Sequence, residues 1–351
     1  MLEIDVLFSK LEEVLNDKKP FVVFRYPSSD KIHLWVQKSK ELFTNPEFDS
    51  EGFVFAPFNL DNGVVLFPEN VSSRYEAELM GFDFSKYQNP SNLILKPTYD
   101  KEYHISLVDS GIAFLKISDS KKVVLSREEQ VQVQDFDVIS TYKRMLQKYE
   151  NACVYLWFHP EVGTWMGASP ERLLKFENNM VETTSLAGTQ VYAENLTWGT
   201  KELEEQQIVT DYITEVLQSH IEAIEIDGPK TAKAGTLAHL KSVISGNLKK
   251  TSALKDIIEK LHPTPAVCGM PKKQSYDFLM TNENYDRSFY TGFFGELSFN
   301  KPTNLYVNLR CMKYHNQMVF IYVGGGITAA SNAEKEWEET VAKANIMKAI
   351  L

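Results

Sequence analysis

The chain has 351 residues, is 43% hydrophobic and carries a formal net charge of −10. That length supports a large buried core, and an acidic balance with scattered basic residues argues against a nucleic-acid partner. No apolar run approaches the roughly 20 residues that span a bilayer, so no membrane partner is expected and a cytoplasmic location is.

Residues 1–20 read as an amphipathic helix, with Ile4, Leu7, Phe8, Leu11, Val14 and Leu15 on its apolar side, and not as a signal peptide. Strands are predicted at 21–26, 32–36, 53–55 and 64–67, with no recognisable site chemistry. No Pro/Gly/Ser-rich linker divides the chain, so 1–351 is expected to form one composite domain, with 1–102 as scaffold and 103–351 as the catalytic portion. Ile105, Val108, Ile112 and Leu115 mark a helix, and 123–125 a short strand with Lys122 at its start. Further strands at 153–158, 164–168, 172–176 and 180–184 are close enough to pair antiparallel. A long helix is predicted over about 201–226, on which Glu205, Val209, Tyr212 and Val216 share a face. Two buried strands at 305–311 and 318–323 then lead through Gly324, Gly325 and Gly326 to a last helix, whose start is set by the capping-box spacing of Ser331 and Glu334. Cys153, Cys268 and Cys311 have neither CxxC spacing nor a His cluster and read as reduced, buried thiols.

The glycine triplet reads either as a permissive strand-to-helix turn or as a cradle whose backbone N–H groups meet an anion at a helix start. On the last helix Glu339, Ala342, Ile346 and Ile350 share one face, flanked by Glu336 and Lys343. Glu205 and Glu339 thus each head an apolar stripe, where a carboxylate is costly unless a cation satisfies it. Two such glutamates on separate helices suit a hard, oxygen-preferring ion such as Mg²⁺; the plainer reading is an i, i+4 Glu339–Lys343 pair.

Motifs in a fixed order extend this reading. Lys122-Val-Val-Leu-Ser-Arg127, Gly167-Ala-Ser-Pro-Glu-Arg-Leu173, Leu186-Ala-Gly-Thr189, His262-Pro-Thr-Pro-Ala-Val-Cys-Gly269, Tyr290-Thr-Gly-Phe-Phe-Gly295, Leu309-Arg-Cys311 and Gly324-Gly-Gly-Ile327, followed by Glu336-Trp-Glu-Glu-Thr340, occur in succession. Over about residues 103–351 the chain resembles the chorismate-utilising enzymes, and within them the isochorismate synthase branch. The resemblance implies an α+β fold: a large sandwich of two mainly antiparallel sheets with outer helices and the active site between them. It also implies conversion of chorismate to isochorismate, for menaquinone or siderophore biosynthesis.

By the same resemblance, Lys122 is the base that activates water for attack at C2, the position that is typically Gln in relatives that use ammonia. A lysine does this only where burial or a nearby cation lowers its pKa. Glu171 is the acid that protonates the departing 4-hydroxyl from the opposite side of the ring, and a raised pKa is expected for it. Glu205 and Glu339 match the Mg²⁺ ligands, with Glu336 near the metal. Arg310 and Lys343 match carboxylate-binding cations, and Gly188, Thr189, Tyr290, Gly324 and Gly325 complete the substrate cradle.

The chain departs from the family where Glu202 and Gln206 replace the usual Asp and His around Glu205, and where the connection from Gly188 to Glu205 is short. No glutaminase subunit is expected, and a monomer is. Salicylate synthase is the nearest alternative, disfavoured by Ala266 where salicylate formers tend to carry Thr; a non-catalytic chorismate-binding protein is the other.

Overall fold

The computed structural model describes residues 1–87, 96–98, 100–234 and 237–351. The amino-terminal third contains α1 (Ile4–Asn16), β1 (Phe21–Arg25), β2 (Lys31–Gln37), β3 (Phe43–Thr44), β4 (Gly52–Ala56), β5 (Val65–Pro68), β6 (Ser72–Glu78) and β7 (Lys96–Thr98). The middle supplies α2 (Lys101–Ile117), β8 (Lys122–Gln132), α3 (Val138–Lys148), β9 (Cys153–His159), β10 (Gly163–Ser169), β11 (Arg172–Glu177), β12 (Met180–Val191) and α4 (Thr200–Leu217). Then come β13 (Ile221–Ala234), β14 (Leu237–Leu248), α5 (Leu254–Leu261), β15 (Gly269–Met270), α6 (Lys272–Asn282), β16 (Phe293–Leu297), β17 (Thr303–Val307), β18 (Cys311–His315), β19 (Met318–Ile327) and α7 (Ala333–Lys348).

These strands form two antiparallel sheets. The first runs β15-β8-β19-β18-β10-β9-β1-β2-β6, with β7 also on β8, and the second β13-β14-β12-β11-β17-β16-β4-β5-β3. Strand alternation explains why both faces are apolar. On β9, Val154 and Leu156 face outward into a core with Leu7, Leu11, Tyr142, Met145 and Met347. Cys153, Tyr155 and Trp157 face inward, to a second core shared with Phe53, Phe55 and Phe294 of the other sheet. There Phe55 stacks on Trp157 with centroids 4.4 Å apart. Helices α4 and α5 cover the outside of the second sheet through Val209, Ile213, Leu217, Ile257 and Ile258. The α+β two-sheet sandwich is therefore the observed fold. The segment before residue 102 contributes strands to both sheets, and all three cysteines are buried and free. Among the described residues no helix is long and apolar enough to cross a membrane.

Several elements differ from the sequence reading. The helix predicted over 201–226 ends at Leu217, and Ile221 begins a strand, in keeping with the alternation of Ile224 and Ile226 with charged residues. The short strand at 123–125 runs on to Gln132 because its charged members Arg127 and Glu129 satisfy each other. Strands 164–168 and 172–176 do not pair: they lie in different sheets, and Glu171 sits where the chain crosses between them. Likewise 305–311 is two strands in different sheets, parted at Arg310, whose φ is +47°. The glycine triplet is not a strand-to-helix turn but part of β19, paired with Val124, Leu125 and Ser126. The cap of α7 is Asn332, whose side chain accepts from the Lys335 N–H.

Helix α7 is fixed on β8 by a buried charge cluster. The Arg127 guanidinium donates to Glu129 at 2.9 Å and to Thr340 Oγ1 at 2.9 Å, and it lies over the Trp337 ring. Lys348 Nζ reaches the other Glu129 oxygen at 2.6 Å. Glu129→Ala leaves two cations facing an emptied, water-excluded position, so a loss of about 3–5 kcal/mol is expected in denaturant unfolding. A loss under about 1 kcal/mol would mean that the cluster contributes little to holding the helix.

Candidate active site

Three pieces of chain converge at the glycine end of β19. Its pairing with β18 stops at Ile321, so Tyr322 to Ile327 have β8 on one side and no strand on the other among the described residues. Helix α7 borders that open edge. Lys343 Nζ donates to the Gly324 carbonyl at 2.9 Å, and a Cβ placed on Gly325 would lie 3.4 Å from a Glu336 oxygen. Tyr290, buried and stacked on Tyr322, approaches Gly324 from the inner face; a Cβ on Gly324 would come within 3.0 Å of its hydroxyl. The glycine triplet thus presents an open strand edge, not the helix-start turn on which the anion-cradle reading rests.

Lys122 begins β8, with its backbone held by β15 and by Ser275, whose hydroxyl donates to its carbonyl. Its side chain is 23% exposed, and its ammonium lies 3.6 Å from Glu205 on α4. On α7 the Lys343 ammonium lies 2.7 Å from Glu339. Neither glutamate heads a buried stripe as the sequence reading had it. The buried positions of α7 are Trp337, Thr340, Ala344 and Met347, and those of α4 include Gln206, Val209 and Ile213. Glu205 and Glu339 sit one position round each wheel, with side chains 42% and 52% exposed. Partial exposure removes most of the desolvation cost that a core-facing carboxylate would carry.

Glu171 occupies the crossover between β10 and β11, pinned by its backbone: its carbonyl accepts from Val307 N–H, and its own N–H donates to Ser169 Oγ at 3.3 Å. Its carboxyl has no hydrogen-bond partner among the described residues. Burial pushes it up to about 7, and the Lys122 cation draws it back only in part. Arg310, at the other sheet-to-sheet crossing, is held by its carbonyl accepting from Ala168 N–H, and burial lowers its guanidinium pKa. Its guanidinium donates no hydrogen bond among the described residues.

Gly188 has φ +65° and lies where the β12–β14 register shifts between Ala187 and Gln190. A Cβ there would come within 3.3 Å of the Trp198 ring, so glycine is needed for both backbone and space. Thr189 follows on β12, its side chain outside the described residues. His239 on β14 is a site residue that the sequence reading missed. Its Nδ1 lies 3.1 Å from the Gly188 carbonyl, which can only accept, so Nδ1 carries a proton. Burial lowers its pKa, and Arg310 and Lys343 add to that effect. The clue was the alternation Leu237-Ala-His-Leu240, which places His239 on a strand face.

A divalent cation was expected at Glu205, Glu339 and Glu336. Among the described residues no three acidic, His or Cys side chains are already gathered as a metal cluster. The donor chemistry nevertheless fits a hard cation, since all three offer carboxylate oxygens. Glu336 also has the electrostatics of a group short of positive charge. Burial raises its pKa and Glu339 raises it further, against a hydrogen bond from Ser331 and the Lys343 cation. In the departure at Gln206, the amide donates to Ser185 Oγ at 2.8 Å and Ser242 Oγ at 3.1 Å, tying α4 to β12 and β14 directly beneath Glu205.

Comparison with known proteins places this geometry. The family described as chorismate binding enzyme matches residues 69–351. Isochorismate synthase DhbC of Bacillus subtilis is 29% identical over 274 residues, 72% of this chain and 68% of that protein. Isochorismate synthase MenF of Haemophilus influenzae is 27% identical over 68% of this chain and 57% of its own length. The chain thus aligns with about half to two thirds of the length of such relatives. Among solved structures, DhbC of Bacillus anthracis, described as a 2,3-dihydroxybenzoate-specific isochorismate synthase, superposes with a TM-score of 0.78 at 25% identity, covering 97% of this chain and 99% of that one. The menaquinone-specific isochorismate synthase MenF of Escherichia coli shares the fold, with a TM-score of 0.80 at 21% identity over 95% of this chain and 88% of that one. The family match takes in most of the chain, including every element that carries the open glycine edge, the Lys122–Glu205 pair and Glu171, and the chain belongs to the chorismate-binding enzyme family.

Proposed function

We propose that the protein is an isochorismate synthase, converting chorismate to isochorismate with Mg²⁺ at the cleft bounded by Lys122, Glu171 and the open edge of β19. The observation that carries this reading is the pairing of unlike groups: the Glu171 carboxyl, pushed up to about 7 by burial, within electrostatic reach of Lys122, whose ammonium lies 3.6 Å from Glu205. Such an acid can be carried protonated near neutral pH, and Lys122 would be freed to act as the base once Glu205, the carboxylate that favours its charged form, is engaged by the cation.

In this mechanism Lys122, in its neutral form, takes a proton from water as the oxygen bonds to C2 of the ring. Both ring double bonds shift together, C1=C2 to C1=C6 and C5=C6 to C4=C5, the C4–O bond breaks, and Glu171 gives its proton to the departing hydroxyl. One water enters and one leaves, so the reaction is an isomerisation. Arg310 and Lys343 bind the substrate carboxylates, Arg310 through its fork of donors, and Tyr290, Gly188, Thr189, Gly324 and Gly325 shape the cradle. His239 holds the Gly188 turn. Mg²⁺, when bound by Glu205 and Glu339 with Glu336 beside it, would neutralise a substrate carboxylate and fix the ring. The product would feed menaquinone or siderophore synthesis, and the protein would act as a soluble monomer without a glutaminase subunit.

The direct test is incubation with chorismate and Mg²⁺, without ammonium, and separation of products by liquid chromatography with mass detection. A product isobaric with chorismate, lost on chelation, is expected. Salicylate with pyruvate would move the protein to a different branch, and bound but unchanged chorismate would make it a non-catalytic binder. Lys122→Ala should lower kcat by about 10²–10⁴ while leaving calorimetric binding of chorismate in place; unchanged turnover would remove Lys122 as the base. Because Glu171 acts in its protonated form, kcat/KM should fall as pH rises through about 7, roughly tenfold per unit beyond it. Glu171→Gln should abolish that limb along with most activity, and a limb that persists would assign it to another group.

A further inference from the structure

The three glycines of β19 differ in what they leave room for. A Cβ on Gly324 would meet the Leu125 carbonyl oxygen at 2.9 Å, and one on Gly325 only a Glu336 oxygen at 3.4 Å. A Cβ on Gly326 would lie 2.6 Å from Cε of Lys122 and 3.3 Å from its Nζ, with Cδ next at 3.8 Å. The register explains why. Gly326 faces Val124 and Ile327 faces Val123, so Lys122 is the diagonal neighbour of Gly326 on the same inner face of the sheet. The lysine side chain therefore runs across the bare α-carbon of Gly326 on its way to Glu205.

We propose that Gly326 is a positioning residue for Lys122: the missing side chain at 326 is the channel through which the ammonium reaches its place beside Glu205. This deepens the proposed function and rests on Lys122 being the base. Gly326 is not among the glycines of the chain with positive φ, so alanine suits its backbone. The three nearest atoms to an added methyl all belong to the flexible end of Lys122. The strand can accept the methyl and the lysine cannot stay, because contact at 2.6 Å is far inside the normal carbon–carbon separation of about 3.5–4.0 Å.

The test is a double-mutant cycle of Gly326→Ala with Lys122→Ala, read by kcat, KM for chorismate, melting temperature and a crystal structure of the single Gly326→Ala variant. In the Lys122 background Gly326→Ala should lower kcat by about 10²-fold, the scale of a misplacement near 1 Å, with KM changed by less than about threefold. Its melting temperature should stay within a few degrees, and Lys122 Nζ should be displaced from Glu205 in the crystal. In the Lys122→Ala background the same methyl should change residual kcat by less than about twofold, since it no longer meets anything. Equal losses in both backgrounds, full activity of Gly326→Ala, an unmoved Lys122 or a variant that does not fold would each overturn the proposal. Full turnover by Lys122→Ala would instead remove the base assignment, and the crystal structure would still decide whether position 326 sets the path of the lysine.

Discussion

The pairing of β8 with β19 is the constraint on which the site depends. Ten consecutive residue pairs run from Met318 opposite Gln132 to Ile327 opposite Val123. A slip of one residue would exchange the two faces of β19 relative to its neighbour. Lys122 would then no longer pass the bare α-carbon of Gly326, and Gly324 would turn away from Tyr290. Strand β8 is itself anchored on its outer face to α7, through Arg127, Glu129 and Lys348, and on its inner face through Ser126. Ser126 gives both its N–H and its hydroxyl to Glu283, which is itself paired with Arg287. Burying these charges is expensive, and an apolar contact of similar volume could hold the strands together as well. What the charges add is a penalty for every other alignment.

On a protein with a net charge of −10, a dianion would be bound through local field alone. The proposed site offers Lys122 beside Glu205, Lys343 beside Glu339, and Arg310 with no carboxylate partner among the described residues. Each lysine is paired with a glutamate, which keeps the charges close without leaving them unmatched. In the proposed function, a substrate carboxylate entering with a divalent cation would give both members of each pair a new partner of the right sign, so that ligand and cation together would complement the site more than either alone.

Most of the fold was legible because strand alternation survives burial on both faces. Segments such as 21–24 and 153–158 are apolar throughout yet divide their side chains cleanly between two cores. What was not legible was which neighbours share a sheet. The strands on either side of Glu171, and those on either side of Arg310, look like continuous or paired runs, and nothing local states that the chain changes sheets there. The polar second half of β8 was missed because Arg127 and Glu129 read as surface residues until their pairing across sequence is known. The proposed site residues carried by motifs stand out by order and chemistry, whereas His239 lies on β14, outside every motif, in a stretch for which the sequence reading assigned no strand. The placement of Glu205 and Glu339 on apolar stripes failed for a simpler reason: a helical wheel is uncertain by one position, and one position separates core from cleft.

The ownership of the charged residues has a mechanical consequence. Glu205 stands on α4, which packs on β12 and β14 of one sheet, and Glu339 stands on α7, which packs on β19 of the other. Glu171 and Arg310 lie on the two threads of chain that pass between the sheets. The groups that would grip a ligand thus belong to two slabs separated by a layer of stacked aromatic rings. An occupant that engaged both glutamates would act as a rivet through the sandwich, making its binding and the resistance of the two slabs to sliding past one another a single property.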